Sequence, residues 1–370
     1  GNGNGSGENE ESAAAATMLA SDLKRYHLMK RKQVPLLAVA THVLLNMAEE
    51  PAIVEKMIKR GLLTLLVRCL EVDNGGGGGS NSSNNGTSGG EDLQRIVVVF
   101  LKNLSVYKEN IPALSSADLM PKLLTLLESG NFTIKDSTLR LIINLSYTPA
   151  IQQQMLSAGY IPKLITLLID TQLQPTVLKV LYPMSLSMTD KHKVDFAATP
   201  IGTVLYQLMI KWPEEIVGEI VVALASNLAL IEDLAPKIIG GEDGLGDLIE
   251  RAAKTTDSRL FRMLRNACNN SKACKPLFEK HIERLVSLAI HVKRKEIVGD
   301  LMGIMSSVSS SSSSSSSSST STSINNIDWP AMVHKYDLIE FLCNILVHRK
   351  EVTQESPTVV MEAVAMLGAV

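Results

Sequence analysis

Leu139-Arg140-Leu141-Ile142-Ile143-Asn144-Leu145-Ser146 is an apolar run that closes on Asn-Leu-Ser, and the phrase returns along the chain. It reads Phe100-Leu101-Lys102-Asn103-Leu104-Ser105 upstream. In looser form it reads Val43-Leu44-Leu45-Asn46-Met47-Ala48, Ala225-Ser226-Asn227-Leu228-Ala229 and Leu264-Arg265-Asn266-Ala267-Cys268. The step from Asn103 to Asn144 is 41 residues, and that from Asn227 to Asn266 is 39. A fixed period near 40 in an apolar-rich chain marks an array of helical repeats. Such arrays work through their surfaces.

The second half of the unit repeats as well. Fifteen residues after Asn144 comes Gly159-Tyr160-Ile161-Pro162-Lys163-Leu164, and fifteen after Asn103 begins Asp118-Leu119-Met120-Pro121-Lys122-Leu123. Gly suits a helix C-terminus, and Pro is tolerated in the first turn of the next helix. The spacing therefore predicts one helix ending near Gly159, a second starting near Pro162, and a longer one ending near Asn144. The longer helix is apolar nearly all round, so it must be buried on several sides, as the middle layer of a stack is. Pro183 and Gly303 fall where other units carry Asn, and Pro183 predicts a kink.

Composition agrees. The chain has 370 residues, 45% hydrophobic but only 4% aromatic, which suits interdigitating aliphatic side chains. A net charge of −2 gives no support to a general nucleic-acid or membrane-surface role. The longest apolar stretch, 216–231, is interrupted by Glu219, Ser226 and Asn227, so no membrane insertion is expected. Residues 1–16 are expected to be disordered and 17–370 to form the array. Two low-complexity tracts, 74–90 and 306–323, are expected to be flexible inserts between helices. Leaving out the first restores a spacing of 40 between Asn46 and Asn103. The C-terminus is expected to stop within a repeat.

No reaction centre is legible. Gly241-Glu242-Asp243-Gly244-Leu245-Gly246 has the wrong order of glycines for a phosphate loop and reads as a helix-to-helix loop. Cys268, Cys274, His281 and His291 lack zinc-site spacing. All four cysteines, Cys69 and Cys343 included, read as buried thiols. The chain is read as a non-enzyme without cofactor or metal. Paired acids such as Glu49-Glu50 and Glu214-Glu215 read as helix ends. Asn-X-Ser acceptors at Asn103 and Asn144 fall inside helices read as buried, which favours the cytosol.

The candidate partner-binding residues are Asn103, Arg140, Asn144, Lys179, Asn227, Arg262 and Asn266. Two readings of the Asn series stand side by side. The amides satisfy backbone groups of their own or a neighbouring repeat, or they form a ladder that grips an extended peptide. Arg140, Lys179 and Arg262 stand one turn before the ladder position. They are either a solvated face or a basic stripe for an acidic or phosphorylated segment.

The repeat resembles the armadillo family, whose members stack into right-handed superhelical solenoids with a concave peptide-binding groove. The importins of that family carry Trp one turn before the Asn. Here His42, Val99, Arg140, Ala223 and Arg262 occupy that place, so an import receptor is disfavoured. The ordered series resembles more closely the kinesin-associated protein family, accessory subunits of heterotrimeric kinesin. The resemblance rests on the phrases at Asn46, Asn103 and Asn144, on Val180-Leu181-Tyr182-Pro183-Met184-Ser185, and on Phe261-Arg262-Met263-Leu264-Arg265-Asn266. Ile327-Asp328-Trp329 with Tyr336 and Leu338 completes it. It implies a non-catalytic adaptor of cytoplasm, cytoskeleton and cilium or flagellum. Such an adaptor binds the tail of a kinesin heavy-chain heterodimer and links it to cargo, including intraflagellar transport complexes. The competing expectation is a catenin-type adaptor for an acidic or phosphorylated peptide.

Overall fold

The computed structural model describes residues 7–71, 89–211, 218–312, 327–347 and 357–369. Among them every regular element is a helix. The chain divides into two compact units, Gly1–Tyr160 and Ile161–Val370.

The first unit opens with α1 (Gly7–Met47) and continues with α2 (Pro51–Lys59), α3 (Leu62–Cys69), α4 (Gly89–Leu104), α5 (Ile111–Ser115), α6 (Leu119–Leu126), α7 (Phe132–Ser146) and α8 (Pro149–Ser157). Helix α9 (Tyr160–Leu167) starts on its last residue. The second unit holds α10 (Gln174–Leu186), α11 (Asp190–Ala197), α12 (Ile201–Lys211), α13 (Glu219–Leu228), α14 (Ala235–Ile238), α15 (Gly241–Thr255) and α16 (Ser258–Asn270). It ends with α17 (Lys275–Glu279), α18 (Ile282–His291), α19 (Lys295–Ser312), α20 (Trp329–Tyr336), α21 (Leu338–Val347) and α22 (Pro357–Ala369). The order short, middle, long thus recurs, and the long helices form a layer: α1, α4 and α7 pack in sequence in the first unit. In the second unit α10, α13, α16, α19 and α22 do the same.

In α4 and α7 the layer rests on a three-position seam. Ten and three residues before the ladder position, and one after it, stand Leu93, Phe100 and Leu104 in α4, and Ile134, Leu141 and Leu145 in α7; all are essentially inaccessible to solvent. Steps of seven and four bring such positions onto one helix face. Burying three such side chains at roughly 1.5–3 kcal/mol each makes long-helix packing the main cohesive contribution of a repeat. In α1 the matching residues Leu36, Val43 and Met47 are 69%, 52% and 46% exposed.

The short and middle helices meet at a left-handed residue: Gly61 (φ 84°), Asp118 (φ 50°), Gly159 (φ 81°), Gly240 (φ 78°) and Asp337 (φ 47°). Asp is among the few residues besides Gly that adopt this conformation at low cost. The Gly159 turn places Tyr160 so that its buried hydroxyl donates to the Met120 carbonyl at 2.6 Å, tying α9 to the start of α6. Side-chain amides of the following short segment close the long helices: Asn110 donates to the Leu104 carbonyl at 2.9 Å and Gln152 to the Ser146 carbonyl at 2.7 Å. Each satisfies a carbonyl that the helix end leaves without a partner.

Several local expectations are corrected. Residues 7–16, expected to be disordered, lie within α1, where the run Ala13-Ala14-Ala15-Ala16 has high helix propensity. Residues 89–90 open α4, and 306–312 continue α19, with the buried Ser309 hydroxyl donating to the Met305 carbonyl at 2.9 Å. The remainder of the two tracts, residues 1–6, and Glu214 and Glu215 lie outside the described residues. The glycine-rich stretch is the first turns of α15 and not a loop. Tyr206 packs so closely there that a Cβ on Gly244 would sit 2.6 Å from its ring. Helix α10 runs through Pro183 without ending.

If the seam carries the cohesion, position decides the effect of truncation. Leu141→Ala should cost about 2–5 kcal/mol of unfolding free energy. Leu36→Ala, at the same place in the repeat but exposed, should change it by less than about 0.5 kcal/mol. Urea unfolding followed by circular dichroism measures both.

Candidate functional site

The ends of the long helices carry the polar chemistry of the array. In the first unit the Asn144 amide nitrogen donates to the Ser105 hydroxyl at 2.9 Å and to the Lys102 carbonyl at 3.4 Å. Ser105 itself donates to the Lys102 carbonyl at 2.6 Å, which leaves its oxygen lone pairs for the incoming amide. The second unit repeats the device: Asn227 donates to the Ser185 hydroxyl at 2.8 Å, and Ser185 donates to the Tyr182 carbonyl at 2.6 Å. Asn266 finds no serine two residues past the preceding Asn, because Ala229 stands there. It uses Ser226 instead, at 3.1 Å to both hydroxyl and carbonyl. Opposite Asn103, neither Leu45 nor Ala48 offers a hydroxyl, and Asn103 is exposed.

The Asn amide nitrogens are therefore spent on joining repeats. At Asn144 and Asn266 the amide nitrogen has two acceptors within reach in the neighbouring repeat, which leaves the side-chain oxygen for a partner. A ladder of this kind is better placed to accept hydrogen bonds from a bound chain than to donate them.

The three cations do not share one setting. Arg140 belongs to the first unit, is exposed, and has its guanidinium 2.7 Å from Asp136 one turn back. Lys179 and Arg262 belong to the second unit, and both are exposed.

Sequence reasoning missed a charged cluster in the second unit. Asp300 occupies the seam position of α19, where the other long helices carry aliphatic residues or Phe, and it is buried. Arg265 of α16 lies 3.4 Å from it and also pairs with Glu362 of α22. Glu362 in turn accepts a hydrogen bond from Ser306 at 3.0 Å. Gly303 makes the room: a Cβ there would stand 2.5 Å from Arg265 Nε. Burial raises the Asp300 carboxyl above the usual range despite Arg262 and Arg265 nearby. The signals were an acid in an otherwise aliphatic register and Gly in place of Asn.

Other chemistry is sparse. Among the described residues no group of His, Cys, Asp or Glu is arranged to hold a metal ion, and no helix is long and apolar enough to cross a membrane. Burial pushes the Cys268 thiol up to about 12 and Cys274 up to about 11, so both are protonated and poorly nucleophilic. Cys343 is exposed, contrary to the expectation of four buried thiols. Asn103 is likewise exposed, so its place in the chain does not argue against glycan access.

A family model described as kinesin-associated protein (KAP) matches residues 6–370. The chain belongs to the kinesin-associated protein family. The solved structures it resembles are armadillo-repeat proteins. A designed armadillo repeat protein matches at 16% identity and a TM-score of 0.50, covering 66% of this chain and 99% of that one. A structure described for the phosphorylation-controlled interaction between cadherin and beta-catenin matches at 14% identity and a TM-score of 0.60. It covers 83% of this chain and 52% of that one. At these identities the likeness establishes the fold: an all-α solenoid of armadillo repeats. KAP membership makes the chain a kinesin-associated adaptor built on a repeat scaffold, and proteins of this kind are typically non-catalytic.

Two measurements follow from this geometry. The Asn144–Ser105 bond should contribute about 1 kcal/mol. In a double-mutant cycle, Asn144→Ala and Ser105→Ala should each destabilise, and the double variant by less than the sum. For Asp300 the folded carboxyl binds its proton more tightly than the unfolded one. Stability is therefore lost as pH rises from the unfolded toward the folded value. Asp300→Asn should raise the unfolding midpoint at neutral pH, and the gain should shrink as pH falls to about 4. Thermal unfolding across pH reads it.

Proposed function

We propose that this chain binds the tail of a heterodimeric kinesin and couples the motor to cargo, including intraflagellar transport complexes. Membership of the kinesin-associated protein family over residues 6–370 carries the reading. The chemistry of the long-helix ends supplies a mode. An extended tail segment presents backbone N–H groups, and the outward oxygens of Asn144 in the first unit, and of Asn227 and Asn266 in the second, are acceptors. Exposed Asn103 adds an amide free of a serine partner. Lys179 and Arg262 attract acidic side chains, with Arg140 a weaker contributor because Asp136 already neutralises part of its charge. Within each unit adjacent repeats offer several rungs, so binding is spread over more than one of them, and no catalytic step is assigned to the chain. The site of action is cytoplasmic, on the microtubule cytoskeleton, with cilium or flagellum the compartment for transport cargo.

The test is a pull-down with purified kinesin heterodimers, with and without their tails. Capture should depend on the tail and weaken with rising salt. Reversing Lys179 and Arg262 together should lower affinity by about 10-fold, with Arg140 reversal adding less. Capture that survives tail removal, or exclusive capture of a phosphorylated cadherin-like peptide, would replace this reading with a catenin-type adaptor.

A further inference from the structure

The short segments of neighbouring repeats are tied in two places by the residue ten positions after the ladder. In the first unit Gln154 of α8 donates to the Ser115 carbonyl and hydroxyl at the end of α5, at 3.2 Å each. In the second unit Lys237 of α14 donates to the Ala197 carbonyl at the end of α11 at 3.4 Å. Between α2 and α5 the same place falls to Ala113, whose side chain has no donor to reach across. A cavity of about 390 Å³ stands between α2 and residues 107–110, which lead into α5, wholly within the first unit. Its volume lies in the range of about 300–1,000 Å³ that small-ligand sites occupy.

The lining sorts by chemistry. Pro51, Val54 and Ile58 of α2 supply aliphatic surface, and Tyr107, Glu109 and Asn110 supply the aromatic and polar surface. Tyr107 is 41% exposed. Asn110 is buried and spends its amide nitrogen on the Leu104 carbonyl at 2.9 Å, so its side-chain oxygen is the group left to accept a hydrogen bond. Glu109 is exposed, and its carboxylate has no ion pair or hydrogen bond among the described residues. Glu55 also lines the cavity, but Lys59 already pairs with it at 2.6 Å. Lys56 and Lys108 lie outside the lining. The charge left uncompensated in the lining is therefore that of Glu109.

We propose that this cavity takes an arginine side chain from an extended segment of a partner protein. The guanidinium donates to the Glu109 carboxylate and the Asn110 oxygen and lies against the Tyr107 ring. The methylene stem covers Pro51, Val54 and Ile58, as long cationic side chains cover apolar surface elsewhere. Arginine fits better than lysine because its planar fork serves two acceptors at once and stacks on an aromatic face. A purely apolar occupant would take water from Glu109 and return no hydrogen bond. The inference stands apart from the kinesin reading, since the cavity and the ladder rungs use different residues.

The probe is a short fluorescein-labelled Gly-Ser peptide with one central arginine. Matched peptides carry lysine, tryptophan or citrulline there, the last being the uncharged isostere of arginine. Fluorescence anisotropy with the whole chain should rank arginine first and citrulline weaker by about 10-fold or more. Glu109→Gln should weaken the arginine peptide by a similar factor and leave the citrulline peptide unchanged. Both Glu109 and Tyr107 are exposed, so Glu109→Gln and Tyr107→Ala should keep the helical circular dichroism of the unmodified chain. Ala113→Gln is the second variant. It supplies a donor able to reach the Ile58 carbonyl, as Gln154 reaches that of Ser115, and should close the cavity and weaken the arginine peptide with the Glu109 carboxylate still in place. Binding of the lysine, tryptophan or citrulline peptide as tight as that of the arginine peptide overturns the proposal. So does arginine-peptide binding that is indifferent to Glu109→Gln and Ala113→Gln.

Discussion

Two positions, three residues before and one after the ladder position, are dry in every long helix from α4 to α19, and in α4 and α7 an aliphatic residue seven positions earlier joins them. That constraint organises both units. A helix that is apolar around so much of its circumference cannot stand at a surface, so each must lie between neighbours, and a layer of long helices is the result. The scarcity of aromatic residues follows from the same geometry, since Leu, Ile, Val and Met fill narrow inter-helix gaps in ordinary rotamers. Phe100 and Phe261 are buried where α4 and α16 meet their neighbours.

Polar groups then fix what burial alone leaves loose. Aliphatic faces can slide past each other by a turn, whereas the Asn amide of one repeat meets the serine of the one before in a single alignment. The substitution of Ser226 for the absent hydroxyl at Ala229 shows that the requirement is for an acceptor at that place and not for a particular residue number. Arg265 solves the problem differently in the last described repeats: it occupies the space that Gly303 leaves and answers the acid in the seam with its own charge. A buried ion pair of this sort adds specificity of docking more readily than net stability.

Most of the fold was legible because periodicity is a property of sequence alone. The phrase around Asn144, the Gly159 turn and the Pro162 start all lie where the spacing put them, within the ordinary fraying of helix ends. The errors have one origin. Composition was read as loop or disorder where helix forms: Ala13 to Ala16 favour helix whatever their surroundings, the Ser309 hydroxyl folds back on Met305, and Gly244 makes room for the Tyr206 ring against the first turns of α15. The candidate site was half legible. Sequence located Asn144, Asn227 and Asn266 but left open what their amides do, because the direction of a side-chain hydrogen bond is set by a residue some 40 positions away. The Arg265–Glu362 pair spans 97 residues, and no local pattern predicts it.

That same arithmetic of sequence separation has a kinetic side. Most of the inter-repeat bonds join residues 34 to 42 apart, from Arg284–Glu250 to Asn144–Lys102. Loops of that length close quickly, and no repeat waits on a distant strand to find its partner. Assembly can begin at whichever pair of long helices meets first and spread outward by one repeat at a time. Unfolding runs the same course in reverse, with the ends opening before the middle of each unit. A chain so built meets thermal or mechanical stress by shedding terminal helices while its interior rungs stay intact. For a kinesin-associated adaptor, such graded yielding is a different kind of strength from that of a single cooperative core.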